Sequence, residues 1–298
     1  MKKRILAVLL PALLLANLGS CKSDPPIKIR VPLGNTDTAE SPGKSDTDTI
    51  GGEYDSATKM CYYLNGDGKS YSVWPQGLPD VVKELVFPAA YKGLPVTEIS
   101  AYISEISIET IIIPEGIKVI KGSFDCCFNI KNIYIPASAI YIGESTFNSY
   151  ALRGNMRSNV IESIVVAEGN PYYYVKGNCL IERSSEKIIL GCNSSVIPDD
   201  GSVKIIGKNA FANCKSIETI ILPESIIELE YGAFNNCEKL KQVYITSSAT
   251  KDKKVINFDT ETVFGYDPNR KFYVPDAESL EIYSKLYGPY TSFEIGNP

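Results

Sequence analysis

The residues whose spacing could indicate chemistry are cysteines and carboxylates, and the chain contains no histidine. This excludes His-dependent nucleophilic triads, His-ligated zinc and imidazole acid–base catalysis. Cys127, Cys214 and Cys237 each follow a phenylalanine by three residues, and no Cys-x-x-Cys pair accompanies them. We predict small buried thiols that fill the same slot in successive units, with a Cys214–Cys237 disulfide as the alternative.

Carboxylates recur at the first position of short apolar segments, at Glu109, Glu162 and Glu218. Paired carboxylates could hydrolyse glycosides. The same position of other segments holds a basic residue: Lys83, Lys131, Lys241 and Arg270. A solvated edge of mixed charge explains this alternation better than a catalytic pair. We therefore predict no catalytic residue, no metal site and no cofactor, and a protein that is not an enzyme.

The charge balance also limits the classes of partner. The chain has 30 basic and 35 acidic residues, whereas nucleic-acid binding requires clustered positive charge. We therefore predict no nucleic-acid partner. With 298 residues, 44% of them hydrophobic, the chain can bury a substantial core.

The N-terminus has the pattern of an export signal. Lys2, Lys3 and Arg4 precede an apolar run over residues 5–18, which predicts a signal peptide over residues 1–20. Leu18-Gly19-Ser20-Cys21 resembles the lipobox of bacterial lipoproteins, which implies cleavage before Cys21 and acylation of that cysteine. An ordinary cleavage site is the alternative. We expect attachment to the bacterial outer membrane by lipid alone, with the protein exposed at the surface or, alternatively, facing the periplasm.

Residues 21–52 form the acylated cysteine and a predicted flexible tether, since they are rich in Pro, Gly, Ser, Thr and Asp and lack apolar periodicity. Three short sequences, Asp37-Thr38-Ala39, Asp48-Thr49-Ile50 and Asp55-Ser56-Ala57, resemble the acceptor of a bacterial O-glycosylation system. The resemblance implies Thr38, Thr49 and Ser56 as glycosylation sites, although a Thr-rich segment also produces such triplets by chance.

A repeat of 22 to 23 residues organises the rest of the chain. Phe124 and Phe147 are 23 residues apart, as are Phe211 and Phe234, and Pro136 follows Pro114 by 22. A fixed period of this size predicts a solenoid of stacked units. Each unit contains one alignable strand, over residues 83–88, 109–114, 131–136, 162–167, 218–223, 241–246 and 270–275. The third and fifth positions of these strands are apolar and are expected to face the core.

Two segments carry a family resemblance. Ile206-Gly-Lys-Asn-Ala-Phe-Ala-Asn-Cys214 and Leu240-Lys-Gln-Val-Tyr-Ile245 resemble the BspA-type leucine-rich repeat family of bacterial surface proteins. The resemblance covers about residues 60–298. It implies a β-rich α/β repeat solenoid, and a role in adhesion to host, matrix or cell-surface macromolecules.

The sequence also predicts the organisation of the domain over residues 53–298. Tyr-rich runs on either side of Asn65-Gly66-Asp67-Gly68 predict an N-terminal β-hairpin cap over about residues 53–82. Repeats follow over about residues 83–275, with an insertion over about 148–202. Asp276 is a predicted N-cap of a short helix in the C-terminal cap, residues 276–298. Cys179 and Cys192 flank a predicted hairpin in the insertion. Both a disulfide between them and two free thiols are compatible with the sequence.

The fourth position of each strand is the predicted ligand-binding face, because it points away from the core. It comprises Val86, Ile112, Tyr134, Val165, Ile221, Tyr244 and Tyr273. Exposed aromatic and aliphatic patches are typical of interfaces, although such residues also simply suit strands. We predict a monomer that binds a protein ligand on this face, with glycan capture for nutrient uptake as the alternative.

Overall fold

A computed structural model describes residues 52–79, 81–103, 107–124, 127, 129–144, 146–147, 159–250, 255–288 and 291–298. The strands of the first half are β1 Glu53–Asp55, β2 Met60–Leu64, β3 Tyr71–Pro75, β4 Glu84–Val86, β5 Ala90–Tyr91, β6 Leu94–Tyr102, β7 Thr110–Ile112, β8 Val119–Ser123, β9 Asn132–Ile135, β10 Tyr141–Ile142 and β11 Ser163–Val166. The remaining elements are β12 Tyr173–Lys176, β13 Cys179–Glu182, β14 Lys187–Leu190, β15 Ile205–Ile206, β16 Thr219–Leu222, β17 Glu228–Leu229, β18 Gln242–Ile245, α1 Thr260–Phe264, β19 Lys271–Val274, α2 Ala277–Tyr287 and β20 Phe293–Ile295.

The predicted repeat strands form two parallel sheets. β4, β7, β9 and β11 make up the first sheet, and β16, β18 and β19 belong to the second, which also contains β20 from the predicted C-terminal cap. Their third positions are all buried, from Leu85 in β4 to Phe272 in β19. The fifth positions are buried too, except that Val166 is only partly so. The structure confirms the solenoid and its core columns, because strand alternation directs every second side chain inward.

Further parallel strands cover the opposite side of the core. β6, β8 and β10 pair with one another, as do β14, β15 and β17. Their inward residues, including Ile99, Ile120, Ile142 and Ile206, are buried. Repeats such as those of β8 and β9 or β17 and β18 therefore contribute a strand to both sides of the solenoid, and the core lies between the two layers.

The phenylalanines of successive repeats stack inside the solenoid. Phe124 and Phe147 lie 5.3 Å apart between ring centroids, and Phe234 lies 5.1 Å from Phe211 and 5.2 Å from Phe264. Gly191 precedes the second stack, and a Cβ on it would lie 2.2 Å from the Phe211 ring. A glycine at this position leaves the space that the Phe211 ring occupies.

The insertion divides the core into two clusters. Leu180 and Leu190 pack with the N-terminal repeats, whereas Ile181 and Ile188 of the same two strands pack with the C-terminal repeats. β13 is therefore buried on both faces, as its continuous apolar sequence favours. Within the range predicted as an insertion, β11 is still a regular repeat strand paired with β9. The departure from the repeat in the described residues begins at β12.

Both ends of the solenoid have distinct elements. β1, β2 and β3 form an antiparallel sheet, and β3 joins the repeat layer by pairing with β6. The Asn65–Gly68 turn contains Asp67, whose carboxylate accepts hydrogen bonds from Lys69 N and Ser70 N; these bonds lower the Asp67 pKa. At the other end, the Asp276 side chain caps α2 by accepting from Ser279 N at 2.7 Å.

Several predicted features lie outside the described residues. These are the signal peptide, Cys21, the tether up to residue 51, and the acceptor residues Thr38 and Thr49. Neither of the helices in the described residues combines the length and apolarity needed to cross a membrane.

Candidate functional site

Strand pairing aligns the predicted binding residues in two separate rows. Val86, Ile112, Tyr134 and Val165 pair in order across the first sheet and form the N-terminal stripe. Ile221, Tyr244 and Tyr273 pair across the second sheet and form the C-terminal stripe. The sequence predicted one row, but the structure contains two because the insertion lies between the sheets.

Both stripes contact solvent. Val86, Val165 and Ile221 are 41–49% exposed, whereas Ile112 and the three tyrosines are partly buried. Tyr244 and Tyr273 stack on each other, with centroids 4.6 Å apart and ring planes 15° from parallel. Mutual stacking accounts for part of the shielding of these rings and holds them as one aromatic surface.

A polar row runs beside each stripe, and the sequence analysis did not identify it. The second strand positions lie two residues before the stripe residues and share their face. Asn132 donates to Thr110 Oγ1 at 3.3 Å, and Thr219 donates to Gln242 Oε1 at 3.2 Å. The face therefore offers hydrogen-bonding groups next to apolar and aromatic ones, as interfaces commonly do.

The insertion ends the N-terminal stripe through one side-chain amide. Asn178, in the turn between β12 and β13, accepts from Ile164 N at 3.2 Å and donates to Glu162 O at 2.9 Å. These are bonds that a neighbouring strand would otherwise make to the free edge of β11. The amide therefore pairs two backbone groups at the edge where the sheet ends, Ile164 N and Glu162 O.

A cleft of 360 Å³ lies where the insertion meets the N-terminal stripe. Val165, Asn170, Tyr174 and Arg183 are among its lining residues. The Arg183 guanidinium lies 4.4 Å from the centroid of the Tyr174 ring, a cation–π arrangement. The stripe is therefore open along most of its length and bounded by a wall at Val165.

The charged edge of the first sheet is an ion-pair ladder, as its alternating charges predicted. Glu109 pairs with Lys83 and, at 2.9 Å, with Lys131. Hydrogen bonds from Lys83 and then Lys131 lower the Glu109 pKa to about 2. A carboxylate held ionised by two lysines is a poor general acid at neutral pH, so this geometry favours a structural role for the ladder.

The prediction for Arg270 was wrong, because this residue is buried rather than part of the solvated edge. It is 8% exposed and donates to the carbonyl oxygens of Leu240, Phe264 and Gly265 at 2.8–3.1 Å. Burial lowers the pKa of the Arg270 guanidinium. The Asp267 carboxylate pairs with Lys241 at 2.6 Å. Asp267 therefore continues the charged edge at the place predicted for Arg270.

The aligned cysteines are buried, as predicted. Cys237 Sγ donates to Phe211 O at 3.2 Å, and Cys127 Sγ donates to Ile103 O at 3.6 Å. Cys214 and Cys237 are unbridged in the structure, as are Cys179 and Cys192. Burial raises the pKa of Cys179 and of Cys237 to about 12, which keeps these thiols protonated and unreactive.

Two further site predictions concern metals and glycosylation. Within the described ranges, no three or more Cys, Asp or Glu side chains are grouped as a metal site would require. Ser56 lies in the exposed turn between β1 and β2, and Asp55 Oδ1 accepts from Ala57 N at 2.9 Å in that turn. Modification of Ser56 stays a prediction.

Comparison with protein families identifies the repeats. A family model described as a BspA type leucine rich repeat region matches residues 90–165 and 186–257, in six copies. The chain belongs to the BspA-type leucine-rich repeat family. Proteins of this family are generally non-catalytic binding modules, and the two matched ranges lie on either side of β12 and β13, the strands at which the repeat is interrupted.

Solved structures of leucine-rich repeat proteins are also similar to the chain. One from T. pallidum has 16% identity and a TM-score of 0.37, covering 82% of this chain and 100% of its own. One from Bacteroides ovatus has 26% identity and a TM-score of 0.38, covering 63% of this chain and 46% of its own. One from Eubacterium ventriosum has 12% identity and a TM-score of 0.32, covering 74% of this chain and 77% of its own. No curated protein matches the sequence.

Proposed function

We propose that this leucine-rich repeat protein is a non-catalytic adhesion module whose two stripes bind a host, matrix or cell-surface protein. The main observation in support is the stacked pair of Tyr244 and Tyr273 on an open strand face. Tyrosine gives a large contact area at low entropic cost and is enriched among the residues that dominate binding energy. The adjoining polar row supplies the hydrogen bonds that orient a protein partner.

A solenoid suits this role because its surface is extended. Strands repeated at regular spacing present equivalent groups over several units, so a partner can make many weak contacts at once. The polar row and the stripe run in parallel across neighbouring strands of each sheet. We expect the full affinity to require both rows.

The proposal is tested by binding of the full chain to arrays of matrix proteins and glycans. Replacing Tyr134, Tyr244 and Tyr273 together with alanine is expected to weaken protein binding about tenfold or more. The matched control replaces three exposed tyrosines outside the stripes, Tyr141, Tyr231 and Tyr266, and is expected to retain binding. Equal losses in both triple variants, with unchanged thermal unfolding, would contradict the proposed face.

Glycan capture is the second candidate function. It is favoured by the cleft at Val165, whose volume suits a small ligand and whose wall presents the Tyr174 ring with Arg183. Glycan binding on the same arrays that is lost in Tyr174→Ala, together with no binding of any protein, would select this function over adhesion.

We further propose that the chain is anchored to the bacterial outer membrane by acylation of Cys21. The predicted signal peptide and the lipobox-like sequence that follows it support the proposal, since acyl chains on Cys21 would hold the protein at the membrane. Metabolic labelling with an alkyne fatty acid is expected to mark the native chain and to fail completely in Cys21→Ser. Labelling that persists in Cys21→Ser would place the lipid elsewhere, and protease treatment of intact cells distinguishes surface from periplasmic exposure.

A further inference from the structure

The N-terminal antiparallel sheet presents a group of aromatic rings on its outer face. Tyr54 and Trp74 both pair in register with Cys61, one on each side of it. The Tyr63 ring lies 6.4 Å from the Trp74 ring on this face. We name Tyr54, Tyr63 and Trp74 the cap platform.

The cap platform contacts solvent although its aromatic rings carry large apolar surfaces. Tyr54 is 48% exposed and Trp74 is 42% exposed, and Trp74 is the single tryptophan of the protein. The opposite face of the same strands supplies the core residues Met60, Tyr62 and Val73. The core is thus complete without the platform, and exposed aromatic rings grouped in this way are typical of a binding surface.

A polar group beside Trp74 is held in a fixed orientation. The Cys61 thiol contacts and donates to Gln76 Oε1, while Cys61 itself is buried beneath the platform. Gln76 is exposed, and among the described residues its Nε2 makes no hydrogen bond. An oriented amide with two free N–H donors next to aromatic rings can bind a hydroxyl-bearing ligand.

The charges of this sheet indicate that such a ligand is neutral. β1, β2 and β3 contain two charged residues, Glu53 and Asp55. Both alternate with Tyr54 and so point to the opposite face. Glu53 is paired there with Lys92 and accepts from Tyr91, and Asp55 accepts from Ala57 N. The strands that form the platform therefore present no carboxylate on its face.

The dimensions and surroundings of the platform suit a sugar chain better than a protein. The strands that carry Tyr54 and Trp74 lie two strand spacings apart, roughly 10 Å between backbones, which is about the length of a disaccharide. The turns over residues 56–58 and 65–69, which join these strands, are largely exposed and contain several polar residues, whereas protein hot spots are surrounded by further contacts that exclude water. Pyranose rings have apolar C–H faces that stack on aromatic rings and hydroxyl edges that reach an amide.

We propose that the cap platform and Gln76 form a binding site for a neutral oligosaccharide, separate from the stripes. The sugar faces stack on Tyr54 and Trp74, and the Gln76 Nε2 group donates to a ring or hydroxyl oxygen. This site does not depend on the adhesion proposal, because it shares no residue with either stripe.

The single tryptophan makes its fluorescence a direct report on this site. Cellohexaose, xylohexaose, maltohexaose and N-acetylchitohexaose are titrated into the purified full chain. At least one is expected to give a saturable change in Trp74 emission and to protect the ring from acrylamide quenching. Tyr54→Ala is expected to weaken that affinity about tenfold, Gln76→Leu is expected to weaken it several-fold, and Tyr231→Ala is the exposed-tyrosine control.

Calorimetry with Trp74→Ala, in which the fluorescent reporter is absent, is expected to show no binding of the active sugar. Two outcomes overturn the proposal: no response to any of the four sugars, or binding that survives Trp74→Ala. Unchanged circular dichroism of each variant separates loss of the site from loss of the fold.

Discussion

Replacing Phe234 with alanine is expected to lower the free energy of unfolding by about 3–5 kcal/mol. Phe234 is fully buried and stacks between Phe211 and Phe264 at 5.1 and 5.2 Å. Its removal leaves a cavity between two repeats, and in a solenoid each repeat is stabilised mainly by its neighbours. Removing the ring should therefore weaken both interfaces of that repeat at once. Urea unfolding followed by circular dichroism is expected to show a lower midpoint.

Phe147→Ala is the matched control for this prediction. Phe147 occupies the same position of an earlier repeat and stacks on Phe124 at 5.3 Å, but it is only partly buried. Its removal leaves less of a cavity, so the expected loss is smaller. Equal losses in the two variants would show that the internal stack is not what sets the stability of the C-terminal repeats.

Replacing Arg270 with alanine is expected to cost about 3 kcal/mol or more of the free energy of unfolding. The guanidinium donates to three backbone carbonyls and lies 5.6 Å from the centroid of the Phe264 ring. Alanine leaves the Leu240, Phe264 and Gly265 oxygens without this donor and removes the packed side chain. Buried acceptors that lose their partner account for most of the expected cost.

Two variants test whether the loss of stability in Arg270→Ala arises from the planar set of donors of the guanidinium. Arg270→Lys keeps a positive charge, but a single ammonium cannot reproduce the planar set of donors, so we expect an intermediate loss. Lys271→Ala alters the next residue, whose exposed side chain pairs with Glu294 at the surface, and is expected to cost little. A loss in Lys271→Ala as large as that in Arg270→Ala would contradict the assignment to buried hydrogen bonds.

The architecture of the repeats could be predicted from the sequence because it depends on contacts between equivalent positions. Phe211 and Phe234 are 23 residues apart in the sequence, and their rings stack in the structure. The apolar third and fifth strand positions form the core. In a solenoid each unit packs on the next one along the chain. A regular local pattern is then sufficient to predict the neighbours of each residue in it.

Irregular segments were less predictable, since their contacts follow no period. The position of Arg270 in the alignment matched that of exposed lysines, yet its neighbours are carbonyls of the α1 segment and the preceding repeat. The sequence likewise predicted a hairpin in the insertion, but its alternation alone does not show that β13 is buried on both faces.

The sequence by itself determined the repeat length, the core columns, the outward direction of the stripe residues and the absence of histidine chemistry. These follow from strand alternation and composition, which need no knowledge of distant contacts. The tertiary structure alone decided that the insertion splits one predicted face into two stripes, that Asn178 closes the edge of β11, and that Trp74, Tyr54 and Gln76 meet on one surface. Each of these depends on where a non-repeating segment docks, because its partners are set by three-dimensional packing rather than by spacing along the chain.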